Sequence, residues 1–264
     1  MNDTSLRQIL DVYVRSWGPI DWSSLRNHEP IPSEAKFAPV ILALALVEGD
    51  FEIIRRKLAA THTDRDEILQ EFITIWVAEE GEHSRALKRM AQLFGATEMA
   101  CDRHRTLRDW RAFVAWPILH LGRLVPGLSA AYCTLGAIQE CIAITTYCYL
   151  ADVIQDLECK QILKQIAVQE ARHMRFYRNA AKILLSNSRI WQISTAILIR
   201  QLWRPPGMDL LGPRSFTKIF APLLSDLRYT DALKAVDRVI SDLPGLNNVK
   251  VMTKFLREVA LVPA

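Results

Sequence analysis

The chain has 264 residues, half of them apolar and 23% charged, with ten glycines and twelve prolines; this supports a sizeable core and excludes a disordered or Gly/Pro-rich chain. The formal charge is +4 with no long Lys/Arg block, a mildly basic surface that excludes a nucleic-acid-binding arm. Met1-Asn2-Asp3-Thr4 lacks the basic and apolar regions of a secretory signal.

Helix-period apolar spacing dominates and strand-like alternation is scarce, so the class is all-α. Asp3 or Thr4 caps a short helix running toward Trp17. Pro32-Ser33-Glu34 opens a long helix reaching about Ala60, and Thr63 or Asp64 caps the next, which Gly95 ends after Phe94. A shorter helix is expected over Thr106 to Trp116. Pro126 belongs in the first turn of a third long helix reaching about Asp152, and a fourth runs from about Asp156 to Leu185. Trp191 to Trp203 reads as helical, Arg204-Pro205-Pro206-Gly207 as a loop, and the tail from Ser215 as two short helices around Pro244-Gly245. The expected architecture is a single domain over residues 1–264: a four-helix bundle, about 33–185, with shorter helices and a C-terminal helical addition, about 187–264.

The stretch Val125 to Ile154 is apolar enough to raise a membrane span. It carries Gln139, Glu140 and Asp152, so a buried bundle helix is expected instead, with no transmembrane segment. The five cysteines contain no Cys-x-x-Cys pair, which argues against structural zinc. Cys133, Cys141 and Cys148 read as small core residues, and a reducing cytosol fits best.

Two Glu-x-x-His motifs carry the chemistry. Glu80-Gly81-Glu82-His83 lies on the second long helix and Glu170-Ala171-Arg172-His173 on the fourth. Spacing of three puts each Glu and His on one helical face, where they can grip one metal ion. The other two long helices each carry an acid inside an apolar run, Glu48 and Glu140. A buried carboxylate is costly unless paired or metal-bound. Glu80 follows Glu48 by 32 residues and Glu170 follows Glu140 by 30, so the chain reads as a twofold repeat of helical hairpins. One Glu from each of two helices plus Glu-x-x-His from each of the others is the di-metal pattern of ferritin-like bundles. Four carboxylates and two imidazoles suit iron or manganese better than zinc or copper.

Ala78-Glu79-Glu80-Gly81-Glu82-His83, with Gln139-Glu140 and Gln169-Glu170-Ala171-Arg172-His173, resembles the metal motifs of the soluble acyl-carrier-protein desaturases over roughly residues 35 to 180. Trp203-Arg204-Pro205-Pro206-Gly207 is similar to the bacterial members. The resemblance implies a ferritin-like fold, two Fe2+ ions, a cytoplasmic homodimer, a fatty-acyl thioester on acyl carrier protein as substrate and a ferredoxin-type electron donor. It implies that Glu80 and Glu170 bridge the metals, that Glu48 with His83 and Glu140 with His173 complete the two ends, and that Glu79 and Gln169 each hold a metal-bound histidine. Gln169 stands where plant members carry Asp, and Ala143 where they carry a Thr linked to oxygen handling; Thr145 and Thr146 lie just beyond. The activity implied is dioxygen-dependent insertion of a double bond, with Phe72, Ile75, Trp76, Leu135, Ile138, Ile142 and Ile144 as candidate lining of an acyl tunnel. Arg55-Arg56-Lys57 and Lys88-Arg89 are candidate docking points for acidic carrier protein, and Trp17 and Trp22 candidate electron carriers. The rival readings are a di-iron hydroxylase or N-oxygenase, an iron-storage ferroxidase, and a metal-free module whose carboxylates merely pair.

Overall fold

A computed structural model describes residues 3–16, 18–50, 66–97 and 127–260. All regular elements among them are helical: α1 (Asp3–Arg15), α2 (Ala38–Glu48), α3 (Glu67–Leu93), α4 (Leu128–Val153), α5 (Leu157–Ser186), α6 (Arg189–Leu202), α7 (Met208–Leu211), α8 (Pro213–Leu224), α9 (Leu227–Lys234), α10 (Val236–Ser241) and α11 (Val251–Ala260), with 3-10 turns at Ser23–Arg26 and Pro32–Phe37. The helix expected over Thr106 to Trp116, the caps at Thr63 or Asp64, Pro126, Trp17, Cys101 and Arg55-Arg56-Lys57 lie outside the described residues.

The long helices pack as two hairpins, α2 on α3 and α4 along α5. Only Ile154-Gln155-Asp156 separates α4 from α5, so the two must run antiparallel. Asp66 begins α3 by accepting from the Ile68 and Leu69 amides (3.0 and 3.2 Å), and Asp156 begins α5 by accepting from Cys159 (2.8 Å). Gly95, at φ 87°, ends the α3 segment as expected, with the Ala96 amide returning to the Ala91 carbonyl. Along α3 the buried stripe reads Ile68, Leu69, Phe72, Ile73, Trp76, Glu79, Glu80, His83, Leu87, Met90, and along α5 Ile162, Leu163, Ile166, Gln169, Glu170, His173, Phe176, Tyr177. In both helices the polar motif interrupts an otherwise apolar face at the middle of the bundle. Phe72 stacks on Phe176 (3.8 Å between centroids, 10°) and meets Tyr177 edge-on (4.8 Å), locking α3 to α5. α1 lies across both and adds Tyr13 to this group, 5.0 Å from Phe72.

Several boundaries differ from expectation. Residues 32–37 form a 3-10 turn and α2 starts only at Ala38. Pro39 has no N–H to give the Ala35 carbonyl, so that carbonyl takes the Ala38 amide in a tighter turn. α2 ends at Glu48, well before Ala60; residues beyond Asp50 in this stretch are outside those described. The tail folds into more than two short helices because its breaks are tertiary. Asp226 accepts from the Arg228 amide (2.8 Å) to start α9, and Asp237 accepts from the Met252 and Thr253 amides (both 2.9 Å) to start α11 from another helix. Cys133 is buried, but Cys141 is half-buried and Cys148 exposed, which corrects the expectation of three core thiols. Each of the latter two stands one residue after a buried side chain, Glu140 or Tyr147, and so about 100° further round α4. By length and composition alone α4 could cross a membrane (26 residues, mean hydropathy 1.2); here it packs along α5 and turns Glu140, Thr146 and Tyr147 inward.

Candidate metal centre

Four helices bring the six expected side chains together. Glu48 is the last residue of α2, Glu80 and His83 lie mid-α3, Glu140 mid-α4, Glu170 and His173 mid-α5. Their donor atoms fall into two groups that share Glu80 and Glu170: Glu48, Glu80, His83, Glu170, and Glu80, Glu140, Glu170, His173. Within each group the atoms lie within 4.8 Å of one another. Both histidines turn Nδ1 inward. His83 Nδ1 is 3.0 Å from Glu170 and 3.5 Å from Glu80; His173 Nδ1 is 2.8 Å from Glu170 and 3.2 Å from Glu80. All are buried except Glu48, which is half-buried.

The inner atoms are poorly satisfied. Both Glu80 oxygens, His83 Nδ1 and Glu170 Oε1 are buried without a hydrogen bond of acceptable geometry. Buried polar atoms are normally bonded, and a cluster of orphans facing one point is what ligands for an ion look like without it. The donor set, four carboxylates and two imidazoles, fits a pair of divalent first-row ions.

The outer atoms are held firmly, across the two halves. His83 Nε2 meets Gln169 Oε1 on α5 (2.6 Å), and the Gln169 amide donates to the Gly18 carbonyl. His173 Nε2 meets Glu79 Oε2 on α3 (2.8 Å). Glu79 also accepts from the Tyr13 hydroxyl and from Arg172 (2.6 Å), whose other nitrogen donates to the Ser16 carbonyl. An acceptor on Nε2 keeps the proton there and leaves the Nδ1 lone pair for a metal. The terminal carboxylates each receive one aromatic donor: Trp76 Nε1 to Glu140 (3.1 Å) and the Tyr147 hydroxyl to Glu48.

Electrostatics divides the metal-free cluster. Burial, with the charges of Glu80 and Glu170, drives Glu48 and Glu140 far above the usual carboxylate range. Burial also opposes charge on Glu80 and Glu170, and on Glu170 the Glu80 charge adds to it. Contacts from Glu48, His173 and His83 outweigh this at Glu80, as the two histidines do at Glu170, and hold both carboxyls below their ordinary range. Burial disfavours the imidazolium of His83, but Glu170 and Glu80 outweigh it and push it up to about 10; His173 is raised in the same way. Without metal, the cluster thus favours the carboxylate form of Glu80 and Glu170, the imidazolium form of the two histidines and the protonated form of Glu48 and Glu140.

Other expected residues have plainer roles. Phe72 and Ile138 are core, Ile75, Leu135 and Ile142 pack half-buried against it, Ile144 is half-buried, and Trp76 spends its N–H on Glu140. Trp22 is half-buried, donates to Glu82 (3.0 Å) and lies under Arg26. Arg89 is not free for docking: it donates to the Leu25 and Arg26 carbonyls (2.8 and 3.1 Å), while Lys88 is exposed. Neither threonine near Ala143 supplies a free hydroxyl to the site. Thr145 bonds the Cys141 carbonyl, and Thr146 the Ile142 carbonyl and Tyr229. Tyr13, Tyr147 and Arg172 as a partner of Glu79 are additions that the sequence reading lacked. Tyr147, seven residues after Glu140, could have been found from helical spacing; Tyr13 has no local signal. Comparison with protein-family models, curated proteins and solved structures finds no match to this chain.

Proposed function

We propose that this chain is a dioxygen-dependent di-iron oxidoreductase that desaturates a fatty acyl chain carried on acyl carrier protein. The observation that supports it most is the pair of donor groups sharing Glu80 and Glu170, with unbonded atoms turned to the centre. Glu48 and His83 would hold one ion, Glu140 and His173 the other, and Glu80 and Glu170 both. Bound ferrous iron would supply the redox chemistry toward dioxygen that no side chain offers. The protein's share is positional. Glu79 and Gln169 fix the imidazole planes, Trp76 and Tyr147 fix the end carboxylates, and the aromatic group of Phe72, Phe176 and Tyr177 keeps water from one side. The reaction balances as one dioxygen, two external electrons and two protons consumed, two hydrogens taken from adjacent methylenes, and one alkene and two waters formed. The acyl substrate, the carrier protein, the ferredoxin-type donor and the homodimer rest on the motif resemblance.

The test has two arms. Metal analysis after anaerobic iron loading should find two ions per chain, and Glu80→Ala or Glu170→Ala should lose most of that metal; unchanged iron in both variants refutes the site. Mass spectrometry of acyl products should show loss of two hydrogens. A gained oxygen atom would replace desaturation by hydroxylation or N-oxygenation, a second reading favoured by Ala143 and Gln169, which depart from the desaturase pattern. A large shell by light scattering would instead indicate iron storage.

A further inference from the structure

We infer that the two metal positions are unequal and fill in order, the Glu140/His173 position first and the Glu48/His83 position second, because Glu79 stands behind one histidine and Gln169 behind the other. The inference rests on the di-metal reading above.

Glu80 and Glu170 belong to both groups, so any difference must come from the remaining ligands and what holds them. The histidines differ in kind of support. His173 Nε2 bonds a carboxylate, Glu79 Oε2, at 2.8 Å; His83 Nε2 bonds a neutral amide oxygen, Gln169 Oε1, at 2.6 Å. A charged acceptor draws the N–H proton more strongly and makes the opposite nitrogen a better donor. Arg172 on Oε1 and the Tyr13 hydroxyl on Oε2 draw off part of the Glu79 charge, but the group facing His173 is still an anion where His83 faces a neutral amide. Glu79 is 4% exposed and pinned by Arg172 and Tyr13, so it cannot swing away.

The terminal carboxylates differ in the same direction. Glu140 is buried in the middle of α4, with Trp76 donating to it. Glu48 is half-buried and is the last residue of α2, whereas Glu140 has helix on both sides. Tyr147 donates to the Glu48 side chain, as Trp76 does to Glu140, so the difference between the two ends lies in burial and place in the helix. Both comparisons make the Glu48/His83 position the looser one. Losing the outer partner of a metal-bound histidine typically costs about 10- to 100-fold in metal affinity; both histidines keep one here, so the lower end of that range bounds the expected gap.

Cobalt(II) is the probe, since its visible absorption reports each ion bound without redox chemistry. Titration of metal-free protein should show two steps with dissociation constants separated by about tenfold. Glu79→Gln should weaken the first step and narrow the gap; Gln169→Glu should tighten the second. His83→Gln should keep a tight first equivalent, and His173→Gln should lose it. Equal steps in the unaltered protein overturn the ordering, as does a Glu79→Gln variant that weakens only the second step. If Glu79→Gln fails to fold, Gln169→Glu decides: an unchanged second step overturns the proposal. Absence of cobalt binding, or binding unaffected by Glu80→Ala and Glu170→Ala, refutes the di-metal reading itself, a different result from two equal ions.

Discussion

Replacing Gly136 by alanine should destabilise the protein even though alanine is the better helix former. Gly136 is buried on α4 against the ring of Tyr177 on α5. A Cβ there would stand 2.6–2.7 Å from three ring carbons, well inside the 3.4 Å at which ordinary contact begins. The ring has nowhere to go: Tyr177 is 1% exposed, meets Phe72 edge-on and shares a 2.8 Å hydrogen bond with the Tyr132 hydroxyl. Overpacking of this kind costs about 1–3 kcal/mol, and removing a helical glycine returns about 0.5–1 kcal/mol. The net loss should be about 1 kcal/mol, within roughly 0–2.5, a fall in Tm of about 2–4 °C at the central value for a chain near this size. Urea unfolding followed by far-ultraviolet circular dichroism gives the loss directly. Truncating the ring as well, in Gly136→Ala/Tyr177→Leu, should recover part of it, with a coupling of about 0.5–3 kcal/mol. A single Gly136→Ala variant as stable as the parent, or more so, would show that α4 and α5 are not as close as described. The clash also bears on the metal centre. Glu140 is one turn beyond Gly136, and Glu170 two turns before Tyr177, so helices forced apart here should bind metal more weakly.

Metal loading should release protons. Glu48, Glu140, His83 and His173 are all shifted upward, so each holds its proton more firmly than usual and an ion must displace it, up to four for a filled site. Groups at their ordinary pKa would release well under one in total; calorimetry in buffers of different ionisation enthalpy measures the number, and a value below one rejects the protonation pattern. The sign for stability follows: a raised pKa favours the folded metal-free chain at low pH, so that contribution falls as pH rises past the ordinary carboxyl range and, for His83, disappears through about 10. Melting curves of metal-free protein between neutral and alkaline pH should show the decline, and metal-loaded protein should not. Asp66→Ala, which removes the α3 cap, should cost about 0.5–2 kcal/mol with iron content unchanged; an unaltered urea midpoint would show the cap to be idle.

The all-α class and the convergence of six ligand-type side chains were legible because both depend on local periodicity. A Glu and a His three apart share a face wherever the helix goes, and an acid within an apolar run must be buried with a partner. What escaped the sequence depends on contacts distant along the chain. Tyr13 reaches Glu79 from a helix 66 residues earlier. Asp237 starts α11 from 15 residues away, which is why the tail looked simpler than it is. The 3-10 turn before α2 was readable in principle, since Pro39 denies the Ala35 carbonyl its usual donor; the helix-start pattern Pro32-Ser33-Glu34 masks it.

The outermost links of both histidine chains end on main-chain carbonyls of the segment after α1: Gln169 on Gly18, and Arg172 on Ser16. The four long helices therefore do not contain everything the centre needs. A shortened chain beginning at Ser23 would keep every candidate ligand while leaving Gln169 and Arg172 to water and Glu79 without Tyr13. If the centre takes metal as proposed, such a core should bind it less tightly than the intact chain, and the leading segment, easily discarded as trimming, acts as the stopper of the vessel.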